Sequence, residues 1–149
     1  MTKLERCKIA SAHHAEGFNC SQSVLVAFRD LTGMSEEDCV RVAAGFGGGA
    51  GTGELCGAIT GAIMVLGLLN PIDLQDPVGT KKRAVMAAKE LQSRFRERFG
   101  ELRCRDLLKK KFVPDDTTPA ARDLALTGHC DIMIVTAVEI VADMLAERE

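Results

Sequence analysis

Apolar residues recur at three- and four-residue intervals along most of this chain, the spacing of α-helices that bury one face. The first such segment is LERCKIASAHHA. The next, NCSQSVLVAFRDL, opens with Asn19 and Gln22 spaced as a helix-capping pair. Ser35 precedes an acidic run, which suits the positive end of a helix dipole. Only IMVL and IMIV resemble strands, and both lie inside longer helical patterns, so we predict helices throughout.

A glycine-rich segment, Gly45 to Gly53, interrupts this pattern. The helices predicted after it are Cys56 to Leu69, about Val78 to Phe99, about Arg103 to Lys111, about Ala120 to Leu126 and about Cys130 to Ala146. The sequence therefore predicts an all-α fold, a bundle of about six to eight helices with a glycine-rich internal loop.

Composition narrows the classes of function. The 149 residues fit one domain, residues 1–149, and the net charge of -2 gives no general attraction to nucleic acid or to an anionic membrane. Phe is the only aromatic residue, so a base-stacking platform is not expected. The N-terminus lacks a signal-like apolar stretch, and the longest apolar run, Ala62 to Leu69, is too short for a membrane span. We expect a cytoplasmic protein that binds neither nucleic acid nor membrane.

The six cysteines are the most informative residues. In a reducing compartment, cysteines more often serve metal binding, catalysis or packing than a disulfide framework. None forms a C-x-x-C pair, which excludes thioredoxin-like, zinc-ribbon and haem-attachment motifs. Four lie in predicted first turns of helices: Cys20, Cys56, Cys104 and Cys130. Free N–H groups and the helix dipole stabilise a thiolate there, whereas Cys7 and Cys39 lie inside predicted helices as core residues.

The segments GFNCSQSVLVAF, GFGGGAGTGELCGAITGAIMVLGL, RCRDLL and HCDIMI resemble the redox-active protein family labelled C-GCAxxG-C-C. The resemblance covers about residues 17–145. By position it carries the family cysteines over to Cys20, Cys56, Cys104 and Cys130, and in this chain the central motif has its cysteine first, as CGAITG. The resemblance implies a prokaryotic protein with redox-linked thiol chemistry.

Small residues follow Cys56 at helical spacing. Gly57 and Gly61 share one helix face, where another helix or a cofactor can approach closely, so both are candidate cofactor-binding residues. The upstream GFGGGAGTG lacks the lysine of a P-loop and follows no strand, so we interpret its N–H groups as donors to a thiolate or cluster sulfur. His129 is the neighbour of Cys130 in sequence, and it could lower the pKa of that thiol, replace it as a ligand or be a surface residue. The lysines of KKKF suit the C-terminal turn of a helix, where cations are favoured.

Two functions remain open. In the first, Cys20, Cys56, Cys104 and Cys130 ligate an iron–sulfur centre of the 2Fe–2S type for electron transfer, with zinc or no cofactor as alternatives. In the second, the protein is a thiol–disulfide oxidoreductase or redox sensor, with Cys56 as the catalytic nucleophile and an unidentified partner cysteine. The similar contexts of the four cysteines favour the cluster. The redox partner and the oligomeric state, a homodimer included, remain open.

Overall fold

The computed structural model describes residues 1–148, and Glu149, the last residue of the predicted domain, lies outside the described residues. Its α-helices are α1 (Lys3–Ala15), α2 (Cys20–Val26), α3 (Arg29–Thr32), α4 (Glu36–Val42), α5 (Gly57–Leu68), α6 (Pro77–Phe99), α7 (Cys104–Leu107), α8 (Pro119–Asp123) and α9 (His129–Ala146). A π-helical turn, Gly49–Gly53, lies between α4 and α5. Over residues 1–148 the only strand-type pairing is an isolated antiparallel bridge between Leu55 and Arg103. The prediction of an all-α fold is confirmed.

The predicted count of six to eight helices is too low, because the described residues form nine α-helices and the π-helical turn. The segment NCSQSVLVAFRDL begins with the expected Asn19–Gln22 capping box, yet it divides at Phe28 into α2 and α3. The predicted helix near residues 103–111 shortens to α7, which has 4 residues against the 23 of α6. Helices of such unequal length do not form a regular bundle.

The core lies among α2, α5 and α9. All residues from Ile132 to Val141 of α9 are buried, as are residues 21–26 of α2. Helix α2 packs against α5, and α1 packs against α9. Burial of this apolar surface, at about 25 cal/mol per Å² removed from water, is the main stabilising contribution to the fold. No helix of residues 1–148 combines the length and apolar character needed to cross a membrane.

The contact between α2 and α5 depends on glycine. A Cβ atom on Gly61 would lie 2.6 Å from the Ser21 carbonyl oxygen, and one on Gly57 would lie 3.2 Å from the Cys20 Cβ. Only residues without a side chain allow the two backbones to approach this closely. The small-residue face of α5 is therefore covered by α2, which places the start of one helix beside the start of the other.

The glycine segment is a structured turn. Gly49 has a φ of +64°, a Cβ there would collide with the Glu54 backbone, and the turn closes with the Glu54 N–H donating to the Gly49 carbonyl over 3.1 Å. Left-handed backbone of this kind is open to glycine at little cost. The Arg105 guanidinium donates to the carbonyls of Thr52 and Gly53 over 3.0 and 3.3 Å. These bonds fix the turn against α7 and direct the chain towards Cys56.

Candidate four-cysteine site

The cysteines predicted at helix starts occupy such positions in the structure. Cys20 is the first residue of α2, Cys56 caps the start of α5, Cys104 is the first residue of α7, and Cys130 is the second residue of α9. The other two, Cys7 and Cys39, are buried within α1 and α4. All six are free thiols.

A short antiparallel pairing of backbone brings Cys56 beside Cys104. The Cys56 N–H donates to the Leu102 carbonyl over 2.9 Å, and the Cys104 N–H donates to the Glu54 carbonyl over 2.7 Å. The Glu54 carboxylate also accepts from Arg103 and Arg105 at 3.1 and 2.7 Å. The loop that ends at Cys56 and the loop that ends at Cys104 are thus joined through backbone and side chains together.

The other two cysteines are brought to the same place by helix packing. Cys20 lies against Gly57, the first residue of α5. The His129 Nε2 bonds the Leu107 carbonyl over 3.0 Å, which holds the start of α9 against the end of α7. The His14 Nδ1 bonds the Asp131 Oδ1 over 2.7 Å and ties α1 to the same helix start. The starts of α2, α5, α7 and α9 therefore converge, and each carries one cysteine.

Burial of the Cys56 thiol favours its protonated form. Its residue is only 5% exposed, and this burial raises the pKa of the thiol to about 11, although the N–H groups of Ala58 and Ile59 favour the thiolate. Burial also raises the pKa of Cys104, with a further contribution from the charge of Cys130. The helix start was expected to activate Cys56, but desolvation outweighs it. The donors to its sulfur belong to the first turn of α5.

The Cys20 and Cys130 side chains interact where α2 packs against α9. A hydrogen bond from the Cys20 S–H to the Cys130 sulfur is the largest cause that lowers the pKa of Cys130 to about 5. The same bond, together with burial and the charges of the neighbouring thiols, raises the pKa of Cys20 far above its ordinary value. The two thiols therefore titrate together, and their interaction favours the thiolate at Cys130 over the thiolate at Cys20.

Two histidines add to the stabilisation of the Cys130 thiolate. The His129 Nδ1 lies 3.9 Å from the Cys130 Sγ, and its charge and hydrogen bond lower the pKa of Cys130, as does the charge of His14. Because the His129 Nε2 faces a carbonyl oxygen, that nitrogen carries a hydrogen, and a protonated ring also directs an N–H towards Cys130. The sequence indicated His129 by adjacency. It gave no signal for His14, whose contact with Asp131 spans 117 positions.

The positions of the donor atoms decide whether this site fits a metal ion. Within residues 1–148, no three side chains of His, Cys, Asp or Glu are placed together so that they could hold a metal ion. In this conformation the four thiols therefore do not form a four-cysteine zinc site, whose ligands must all meet one metal ion.

Comparison of the sequence with known proteins and families identifies one family. No curated protein and no solved structure matches the chain. The family model described as "Putative redox-active protein (C_GCAxxG_C_C)" matches residues 18–144, a span that contains all four cysteines of the site. The chain accordingly belongs to the C_GCAxxG_C_C family of putative redox-active proteins.

Proposed function

We propose that this protein is a thiol-based redox protein in which Cys20 and Cys130 alternate between a dithiol and a disulfide. The observation that carries the proposal is the direct interaction of these two side chains at the meeting point of α2 and α9. Both residues are half-buried, so a small substrate can reach them while bulk water is partly excluded. The family description as redox-active supports the same chemistry.

The first step uses the Cys130 thiolate. Its sulfur attacks one sulfur of a substrate disulfide, a new S–S bond forms between protein and substrate, and the other substrate sulfur leaves as a thiolate. The Cys20 S–H and His129 face the attacking sulfur and favour its charged form. Cys130 is therefore ready to react at neutral pH, where an ordinary thiol is mostly protonated.

The second step uses Cys20. Once Cys130 is in the mixed disulfide it no longer accepts the Cys20 proton, so the cause that raised the pKa of Cys20 most is removed. Cys20 gives its proton to the departed thiolate and attacks the Cys130 sulfur, which releases the second substrate thiolate. In the net reaction the protein loses two electrons and one proton, and the substrate disulfide becomes one thiol and one thiolate, which takes its proton from water. Cys56 and Cys104 keep their protons, and we assign them no step.

Reaction of the reduced protein with a small disulfide tests this order. The wild-type chain should release two thiols per chain in a rapid phase. Cys20→Ser should release one and retain the other half of the substrate as a mixed disulfide on Cys130, visible as an added mass. Cys130→Ser should lose the rapid phase, whereas Cys39→Ser, a buried thiol of α4, should behave as wild type. Equal rapid release from Cys130→Ser and wild type would overturn the proposal.

The second candidate function is electron transfer through an iron–sulfur centre held by Cys20, Cys56, Cys104 and Cys130. The observation that favours it is electrostatic: each of the other three thiols, when ionised, raises the pKa of Cys20, and a bound cation would relieve this repulsion between thiolates. For a zinc ion the sulfurs would have to move closer together, because no three of them are placed around one metal ion in this conformation. Zinc is the redox-silent alternative.

Elemental analysis separates the two candidates. Protein purified without oxygen should contain iron and acid-labile sulfide, with visible absorption, if it holds a cluster, or zinc if it holds a structural metal. The dithiol proposal predicts a colourless protein with neither iron nor sulfide after anaerobic reconstitution. The Cys56→Ser variant adds a control, because it should lose a four-cysteine cluster but keep the disulfide chemistry.

A further inference from the structure

A small basic pocket lies beside His129, the residue before Cys130 in α9. Its volume is about 200 Å³, and it is lined by Leu108, Lys110, Lys111, Phe112, Thr127 and His129. The lysines of KKKF were expected in the last turn of a helix. Instead α7 ends at Leu107, so these lysines lie beyond it, where the chain crosses the surface towards Phe112.

One residue, His129, belongs both to the basic pocket and to the thiol site. Its Nδ1 lies 3.9 Å from the Cys130 Sγ, while its ring packs against Phe112 with 5.9 Å between centroids. The bond to the Leu107 carbonyl fixes the ring in this position. A group bound in the pocket therefore lies beside the same ring that approaches the Cys130 sulfur.

The charge in the basic pocket is positive. Lys110 has one acidic partner, Glu101, at 3.3 Å, and Lys111 forms no ion pair with any residue of the described chain. None of the six lining residues is acidic. Because the whole chain carries a net charge of -2, this positive charge is a local feature beside the thiols and does not reflect the overall composition.

The size of the basic pocket limits what it can hold. Pockets for drug-sized ligands measure about 300–1,000 Å³, and this one is smaller. It has room for a short substituent, with the apolar side chains of Leu108 and Phe112 beside its carbon atoms and a lysine at its charged end. A carboxylate on a chain of a few carbons meets these requirements.

We propose that the basic pocket selects small disulfides that carry carboxylates, binding one carboxylate beside Lys111 while the disulfide bond reaches Cys130 past the His129 ring. This inference rests on the proposed dithiol–disulfide function and names its substrate class. The substrate disulfide is the oxidant, because it accepts the two electrons that Cys20 and Cys130 lose when they form their own disulfide.

Three small disulfides of similar size and different charge test the inference: dithiodipropionate, which is anionic, hydroxyethyl disulfide, which is neutral, and cystamine, which is cationic. Each rate with the reduced protein is divided by the rate of the same disulfide with a neutral dithiol, which corrects for the leaving group. At low salt the corrected rate for the anion should exceed that for the neutral compound by about three- to tenfold, with the cation slowest. The differences should narrow as salt is added.

Matched variants assign the preference to the pocket. Lys111→Gln should lower the corrected rate for the anion by about three- to fivefold and leave the neutral compound unchanged, whereas Lys111→Arg should retain the preference. Lys89→Gln, at an exposed lysine of α6 outside the pocket, should match wild type. Equal corrected rates for all three compounds, or no effect of Lys111→Gln, would overturn this inference alone. No reaction with any disulfide would overturn the proposed function as well.

Discussion

At the residue scale, burial and neighbouring groups shift the pKa of a cysteine more than its position at a helix start does. Cys56 and Cys130 both lie at the start of a long helix, yet the pKa of Cys56 rises to about 11 and that of Cys130 falls to about 5. Cys56 has two backbone donors and little exposure, whereas Cys130 is half-buried beside a thiol and a histidine. The difference favours Cys130 as the attacking sulfur.

The first prediction concerns the pH dependence of Cys130 alkylation. In wild type the rate should stay high at neutral pH and fall only as the pH approaches about 5, because the folded pKa is lowered from the ordinary 9.0. Cys20→Ala removes the main donor, so the inflection should move upward and alkylation at neutral pH should slow. Cys39→Ala serves as the control. An unchanged inflection in Cys20→Ala would show that Cys20 does not stabilise the thiolate.

At the scale of elements, the site depends on the close contact between α2 and α5. Gly61 and Gly67 lie on the same helix, but a Cβ on Gly61 would meet the backbone of Ser21, whereas one on Gly67 would meet nothing within 4 Å. The same substitution should therefore act in opposite directions at these two positions.

The second prediction follows from this contrast. Gly61→Ala should lower the free energy of unfolding by about 1–3 kcal/mol, because it forces α2 away from α5. Gly67→Ala should raise it by up to about 1 kcal/mol, because alanine favours the helix and has open space there. Urea denaturation of the two variants and wild type measures both effects. A Gly61→Ala variant as stable as wild type would contradict the described contact.

Local features of the helices were predictable from sequence. The caps at Asn19 and Ser35 form as expected, because each requires only groups within three residues of each other. The division of the second helical segment at Phe28 was not predicted, since its apolar spacing continues through the break. The length of α7 was overestimated because the lysines that follow it suit a helix end but do not extend the helix.

At the scale of the whole molecule, the site joins distant parts of the chain. Cys20 lies near the N-terminus and Cys130 in the last helix, and the sequence contains no signal for their pairing. The sequence identified the four cysteines by local context and family resemblance. Which sulfur loses its proton depends on burial and on contacts such as His14 with Asp131, and both arise only when the chain folds.

The third prediction uses this long-range connection. A disulfide between Cys20 and Cys130 would close a loop of more than a hundred residues, and such a cross-link stabilises a protein by at most about 4–5 kcal/mol. The oxidised protein should therefore unfold at a higher temperature than the reduced protein. In Cys20→Ser the same oxidant should give no increase. An oxidised wild type less stable than the reduced form would contradict a disulfide at this position.

Disulfide mapping by mass spectrometry tests the central claim most directly. The reduced chain is oxidised with a limiting amount of a small disulfide, its remaining thiols are alkylated, and the digest is analysed without reduction. The account predicts a loss of two hydrogens per chain and one cross-linked pair of peptides, containing Cys20 and Cys130. A product in which Cys20 and Cys130 are both alkylated while other cysteines are joined would contradict it.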